Sequence, residues 1–259
     1  MDLQLKDKVI LVTGGAKGIG AAIVRTSHQE GAVPVILDRD LNAGQQLRDQ
    51  LRASGNCGLI TADLSRPEQC AQAVDETIRI FGRLDALVNN AGVNDKVGLE
   101  QGNPADYVAS LQRNLVHYYS MAHYALPHLK QSQGAIVNIG SKTAVTGQGN
   151  TSGYASSKGA IMALTREWAA ELLPYKIRVN TVIPAEVMTP LYRDWLDTFA
   201  DPEAKLQTTL AKIPLGNRMT TAEEIAAQVI FLISARSGHT TGQHIFVDGG
   251  YVHLDRALT

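Results

Sequence analysis

Short apolar runs alternate with longer segments of helical period along nearly the whole chain, and this rhythm leaves few architectures open. Val9 to Val12 precedes a helical segment over Ala21 to Glu30, Val33 to Leu37 precedes Leu41 to Ala53, and Cys57 to Thr61 precedes Pro67 to Phe81. The pattern continues with the run Leu84 to Asn89, a helical region over Pro104 to Lys130, the run Ala135 to Ile139 and a helix over about Tyr154 to Leu173. The run Ile177 to Val182, a helix over Ala222 to Ile233 and a last strand over Gln243 to Val247 complete it. Continuous apolar runs linked through helices read as parallel strands covered on both faces, and crossovers of one hand wind such a sheet doubly. The expected fold is therefore α/β, a Rossmann-like doubly wound parallel sheet of about seven strands with helices on both faces.

No Ser/Pro-rich linker and no repeat beyond the βα alternation divides the chain, so residues 1–259 read as a single unit. Thr189 to Leu215 interrupts the rhythm: it carries Trp195, Phe199 and three prolines but no sheet-forming run, as expected of an insertion covering a ligand near the carboxyl ends of the strands. Charge narrows the function. Lys and Arg total 24 against 25 for Asp and Glu, which lacks the basic excess of a protein that binds nucleic acid or anionic membranes. Cys57 and Cys70 match neither a CxxC redox pair nor a zinc cluster and fit a reduced, cytoplasmic setting. The polar stretch from Met1 to Lys8 has no apolar export core, and runs such as Val229 to Ile233 are too short to span a bilayer. The expected partner is a small molecule.

Thr13-Gly14-Gly15-Ala16-Lys17-Gly18-Ile19-Gly20 lies between the first strand and the first helix. Glycines there let backbone amides and a helix N-terminus approach a pyrophosphate, although glycines also serve ordinary turns. The second strand ends at Asp38, about 20 residues on, where a carboxylate would accept the ribose hydroxyls of NAD. Asp38 could equally cap the helix from Leu41, and Lys17 or Arg39 could pair with the 2'-phosphate of NADP, the less favoured cofactor. Asp63, ending the third strand, either reaches the adenine edge or caps the next helix.

Tyr154 and Lys158 are four residues apart, hence on one face of a helix. A neighbouring ammonium stabilises phenolate, and bringing a tyrosine to neutrality takes about 4 kcal/mol, which one close ammonium plus an oxidised nicotinamide would supply. The same spacing occurs on solvated helix faces, so the surroundings decide. Ser141 ends the run Ala135 to Ile139, where ligands of doubly wound sheets bind, and its hydroxyl would hold a substrate oxygen beside the phenol. Asn89-Asn90-Ala91-Gly92 closes another strand, and Asn114 sits in an otherwise apolar helix.

Together TGGAKGIG, Asp38, Asp63, NNAG, Asn114, Ser141 and Tyr154-xxx-Lys158 resemble, in order and spacing, the short-chain dehydrogenase/reductase family over essentially the whole chain. The resemblance implies that Ser141 orients the reacting oxygen, Tyr154 exchanges the proton, Lys158 lowers the tyrosine pKa and holds the nicotinamide ribose, and Asn114 organises a water relay behind Lys158. It implies dinucleotide contacts from Gly14, Lys17, Gly18, Ile19 and Gly20, from Asp38, Arg39, Asp63 and Leu64, and from Asn90, Ala91 and Gly92. Pro184, Val187, Thr189 and Leu191 would lie near the carboxamide, with Pro184-Ala185 replacing the usual Pro-Gly, and the assembly would be a homotetramer. Segments such as GVNDKVGL and VIPAEVMTPLYRDW resemble a sugar-oxidising branch of the family.

Asn94, Asp95, Gln148, Asn150 and Glu186 offer a polar pocket rim suited to a polyhydroxylated substrate. His117, His123 and His128 share a helical region, but their spacing sets His123 opposite the others, so no catalytic metal is expected. Tyr118, Tyr119 and Tyr124 are expected to pack against another element or a second subunit. An NADPH-dependent carbonyl or 3-oxoacyl reductase and a noncatalytic dinucleotide sensor are the alternatives; Asp38 and the polar rim oppose the first, and retention of Ser141, Tyr154 and Lys158 opposes the second.

Overall fold

Apolar runs too short for helices and too hydrophobic for a solvated face pair with one another, and seven do so side by side. A computed structural model, describing residues 1–254, contains β1 (Val9–Thr13), β2 (Val33–Asp38), β3 (Gly58–Thr61), β4 (Ala86–Asn89), β5 (Ala135–Ile139), β6 (Arg178–Pro184) and β7 (His244–Val247) in one parallel sheet. The last stretch of the unit expected from sequence, 255–259, lies outside the described residues. Strand order is β3-β2-β1-β4-β5-β6-β7. The order reverses between β1 and β4, so the chain leaves those two strands toward opposite sides and opens a crevice at their carboxyl ends.

The helices are α1 (Gly18–Gln29), α2 (Leu41–Arg52), α3 (Pro67–Phe81), α4 (Pro104–Leu111), α5 (His117–Ser132), α6 (Ser152–Glu171), α7 (Pro190–Leu196), α8 (Pro202–Leu210) and α9 (Ala222–Ile233). Two apolar layers form, one on each face of the sheet. Ile23, Val24, Leu47, Ile225 and Val229 meet one face, whereas Val74, Met121, Leu129, Ile161 and Trp168 meet the other. Cys57 and Cys70 are buried and unpaired, and burial pushes each thiol up to about 11.

The helical region expected over Pro104 to Lys130 is interrupted by a π-helical turn, Gln112–Val116. Asn114 lies at its centre, fully buried, with Nδ2 donating to the Ser110 carbonyl at 3.1 Å and Oδ1 accepting from Val93 N–H at 2.7 Å. A side chain that bonds main chain on and off its own helix competes with the regular ladder, and single π turns of this kind cluster at functional sites. The insertion over 189–215 forms α7 and α8, each capped by a side chain: Thr189 accepts from Tyr192 N–H and Asp201 from Ala204 N–H. Leu196 and Ile213 anchor it to the body.

The turn after β1 has no room for a side chain at Gly14 or at Gly20. A Cβ at Gly20 would fall on the Gly14 carbonyl oxygen and stand 2.7 Å from Asn90 Nδ2, and one at Gly14 would stand 2.9 Å from Ala91 Cα. Gly20→Ala is expected to lower stability by about 1–3 kcal/mol in chemical denaturation and to weaken dinucleotide binding in a fluorescence titration. A variant with unchanged stability and affinity would mean that the turn repacks freely.

Candidate active site

The crevice widens into a cleft of about 630 Å³ running from Gly14 and Asp38 at one end to Ser141, Tyr154 and Lys158 at the other. At the first end the loops after β1 and β4 are cross-braced. Asn90 Nδ2 donates to the carbonyls of Thr13 and Gly14 at 2.9 and 3.0 Å, while Thr13 Oγ1 accepts from Asn90 and Ala91 N–H at 2.9 and 3.1 Å. The carboxamide of Asn90 is thus spent on shaping the crevice. Gly14 and Gly18 adopt left-handed conformations (φ 61° and 53°) that a side chain would strain. Lys17 precedes α1 without a side-chain cap, which leaves the first-turn amides to face an anion. Those features fit a pyrophosphate, and Ile19, Ala91 and Gly92 line the same end, with Gly20 buried behind it.

Asp38 does not cap α2; Asp40 does, accepting from Ala43 N–H at 3.0 Å, because Asp38 ends β2 two residues before the capping position. The Asp38 carboxylate instead accepts Ala16 N–H and Asp40 N–H, one on each oxygen at 3.0 Å. A carboxylate has about four acceptor positions, so it keeps capacity for two hydroxyls. Lys17 pairs with Asp40 at 2.6 Å, which raises the lysine and lowers the carboxyl from their ordinary values, and it is therefore engaged before any 2'-phosphate arrives. Asp63 does not cap α3, whose first turn follows Arg66 without a side-chain cap; it accepts Ser65 N–H and Oγ–H, which hold it below the usual carboxylate range. Asp63, Leu64 and Arg39 all line this end.

At the far end, β5 delivers Ser141 in extended conformation. Thr143 donates to Ser141 Oγ from its N–H at 3.3 Å and from its hydroxyl at 3.0 Å, filling both acceptor positions. The serine hydrogen is left to donate, and Ser141 hydrogen-bonds the Tyr154 phenol. One turn along α6 lies Lys158, 2% exposed, whose Nζ donates to the Ile139 carbonyl at 2.8 Å and the Tyr118 hydroxyl at 3.0 Å and sits 5.6 Å from the Tyr154 ring centroid. Burial pulls the ammonium down to about 7. Burial also raises Tyr154 above its ordinary value, and the Ser141 hydrogen bond offsets this only in part. The depressed tyrosine expected from the ammonium together with an oxidised nicotinamide is not produced by the protein's own groups.

His117 and Tyr118 carry more than the packing expected of them. His117 lines the cleft, its Nε2 donates to the Arg113 carbonyl at 3.0 Å, and burial with the nearby Lys158 charge pushes it down to about 4. Tyr118 is fully buried against Lys158.

The polar rim expected from sequence is not what lines the cleft. Asn94 accepts from Lys96 N–H, Asp95 pairs with Arg113, and Gln148 and Asn150 are exposed on the connection before α6. Glu186 is buried in an ion pair with Lys142 and hydrogen-bonded to Tyr192, and it is Tyr192 that faces the cleft. Pro184, Ala185, Val187, Thr189 and Leu191 form the remaining wall. Ala185 replaces glycine without strain, because the backbone there does not enter the left-handed region. No group of three or more His, Cys, Asp or Glu arranged to hold a metal ion occurs among the described residues.

The family model described as enoyl-(acyl carrier protein) reductase matches residues 14–252. L-fucose dehydrogenase of Bos taurus is 36% identical over 251 residues, covering 96% of this chain and 91% of that protein. The 3-oxoacyl-[acyl-carrier-protein] reductase FabG of Thermotoga maritima is 34% identical over 252 residues, covering 96% and 100%. The crystal structure of Cj0485 dehydrogenase matches with a TM-score of 0.95 at 46% identity, covering 100% of this chain and 99% of that one.

A lysine moved from 10.5 to about 7 by folding leaves a signature in stability. Between those pH values the unfolded chain holds a proton that the folded chain has released, so this group makes the unfolding free energy rise with pH across the window. Lys158→Met should remove that contribution. Denaturation curves for both proteins at pH 7 and pH 9 check it, and equal pH slopes would place Lys158 in a far wetter environment.

Proposed function

The chain belongs to the short-chain dehydrogenase/reductase family, and from that premise we propose that it oxidises the anomeric hydroxyl of an aldose, L-fucose to its lactone, with NAD. The observation that carries the reading is the half-buried Tyr154 phenol, hydrogen-bonded to Ser141 and one helical turn from Lys158, in the same cleft as Asp38. The resemblance to L-fucose dehydrogenase over 96% of the chain supports the choice of substrate.

Bound NAD supplies the hydride acceptor and a positive charge beside the phenol. Ser141, with both acceptor positions filled by Thr143, turns its one hydrogen from the Tyr154 phenol to the sugar O1 when substrate binds and so fixes C1. Tyr154 as phenolate removes the O1 proton while C1 loses hydride, so the hemiacetal becomes a lactone with atoms and charge balanced. Lys158 stabilises the phenolate by its charge and reaches the nicotinamide ribose, and Asn114 holds the Val93 main chain at the cleft wall. Tyr192, backed by Glu186 and Lys142, reads the sugar hydroxyls. The enzyme works in the cytoplasm as a homotetramer, a state that light scattering checks.

Two carboxylates favour NAD. Asp38 keeps acceptor capacity for ribose hydroxyls, and Asp40 neutralises Lys17. The FabG likeness and Arg39 in the cleft support the rival NADPH-dependent reductase. Asp38→Ala should shift the ratio of catalytic efficiencies toward NADP by about tenfold or more, since one charged hydrogen bond is worth about 1.5–3 kcal/mol. A parent enzyme already preferring NADP would overturn this account of the cofactor end.

Absorbance at the reduced-nicotinamide band with a sugar panel tests the substrate. L-fucose should react fastest with NAD, sugars of the same ring configuration such as L-galactose and D-arabinose should follow, and Tyr154→Phe should abolish turnover while dinucleotide affinity persists. Equal activity on L-fucose and D-glucose, or activity on simple secondary alcohols alone, would refute the sugar assignment.

A further inference from the structure

The Lys158 ammonium lies between two phenols, with ring centroids 5.0 Å (Tyr118) and 5.6 Å (Tyr154) from Nζ. They are not equivalent. Tyr154 lines the cleft, whereas Tyr118, on the first turn of α5, is fully buried and does not. It is the inner phenol that accepts a hydrogen bond from Lys158, at 3.0 Å, and it passes its own hydrogen to the Ile139 carbonyl at 3.0 Å. Lys158 donates to that same carbonyl at 2.8 Å, which closes a triangle of three polar groups inside the apolar layer.

We propose that Tyr118 is a positioning residue for catalysis: its buried hydroxyl holds Lys158 as the ammonium and directs it at the Tyr154 side of the cleft. The proposal rests on the reading of Tyr154 as the proton-exchanging group. An ammonium has three donors, and two are fixed on the side away from substrate, leaving one for the cleft. Without the Tyr118 oxygen, one of those buried donors has no partner, and the neutral amine becomes the cheaper state. Packing alone does not require the contact, because the Tyr118 hydroxyl already has Ile139 as its acceptor and phenylalanine would fill the same volume.

No other group replaces it. The titratable neighbours are Tyr154 on α6 itself and His117 on α5, and His117 stays neutral over the working range. From the turn after β5, Lys142 is committed to Glu186. Among the described residues no carboxylate forms an ion pair with Lys158.

Tyr118→Phe tests this. The acidic limb of kcat/KM against pH should move up by about one pH unit, so that activity at pH 7 falls about tenfold and recovers at high pH, with the sugar KM little changed. In the dinucleotide-free protein, the Lys158 resonance of a ¹³Cε-lysine sample, identified by its loss in Lys158→Met, should titrate at lower pH in Tyr118→Phe. This second readout needs no sugar, so it stands if the substrate assignment fails. A superimposable pH profile, a uniform loss of activity at every pH, or an unchanged lysine midpoint would each overturn the proposal. Should Tyr118→Phe not fold, 3-fluorotyrosine placed at 118 keeps the ring and hydroxyl while weakening the oxygen as an acceptor; the midpoint should again fall, and no change would overturn it.

Discussion

The reversal of strand order between β1 and β4 is the constraint on which the rest depends, and Asn90 is what makes it usable. Two loops leaving a sheet in opposite directions would by themselves give a crevice of undefined width. The Asn90 carboxamide spans them by bonding the Thr13 and Gly14 carbonyls, and Thr13 answers with its hydroxyl. With that brace in place, the amides opening α1 and the carboxylate ending β2 face one space, and Gly14 must be a glycine because Ala91 occupies the position its side chain would need.

The reacting end is governed by the cost of keeping charge away from water. Burial pulls Lys158 toward neutrality and raises Tyr154, both against their charged states. The protein counters with aimed hydrogen bonds: Ser141 to the phenol, and Tyr118 and Ile139 to the ammonium. In the proposed oxidation the positive charge of an oxidised nicotinamide would supply the rest, so the phenol would act as a base only with the hydride acceptor bound.

Fold and chemistry were legible in sequence to different depths. Continuous apolar runs such as Val9 to Val12 specify buried parallel strands directly, and the glycine-rich turn, Ser141, Tyr154 and Lys158 are tied to strand or helix ends by fixed spacing, so their convergence on one cleft follows from topology. The interruption at Gln112–Val116 was not legible, since it arises from Asn114 bonding Val93 across the fold. Tyr118 read as a packing aromatic because periodicity reports which face is inward, not which polar atom waits there. The expected rim failed for a related reason. Asn94, Gln148 and Asn150 are polar because loops are polar, whereas the side chain that enters the cleft, Tyr192, belongs to a capped helix that aims it.

That helix joins parts of the chain that are remote in sequence. Thr189 caps α7 and lies 3.2 Å from where a Gly18 side chain would begin, so the covering segment rests on the glycine-rich turn itself. Behind it, Tyr192 leans on Glu186, Glu186 on Lys142, and Lys142 places its ammonium 4.2 Å from the Tyr251 ring centroid. A buried ion pair adds little net stability but resists loss of either partner, so it serves better to fix geometry than to hold the fold together. Lys142 follows Ser141 directly, which ties the orientation of the covering segment to the serine at the end of β5. Under the proposed function the chemistry would then lie on β5 and α6, and substrate choice on the end of β6, α7 and the segment after β7. Changes in the second set would leave the first undisturbed, provided the Lys142–Glu186 pair is kept or replaced as a unit.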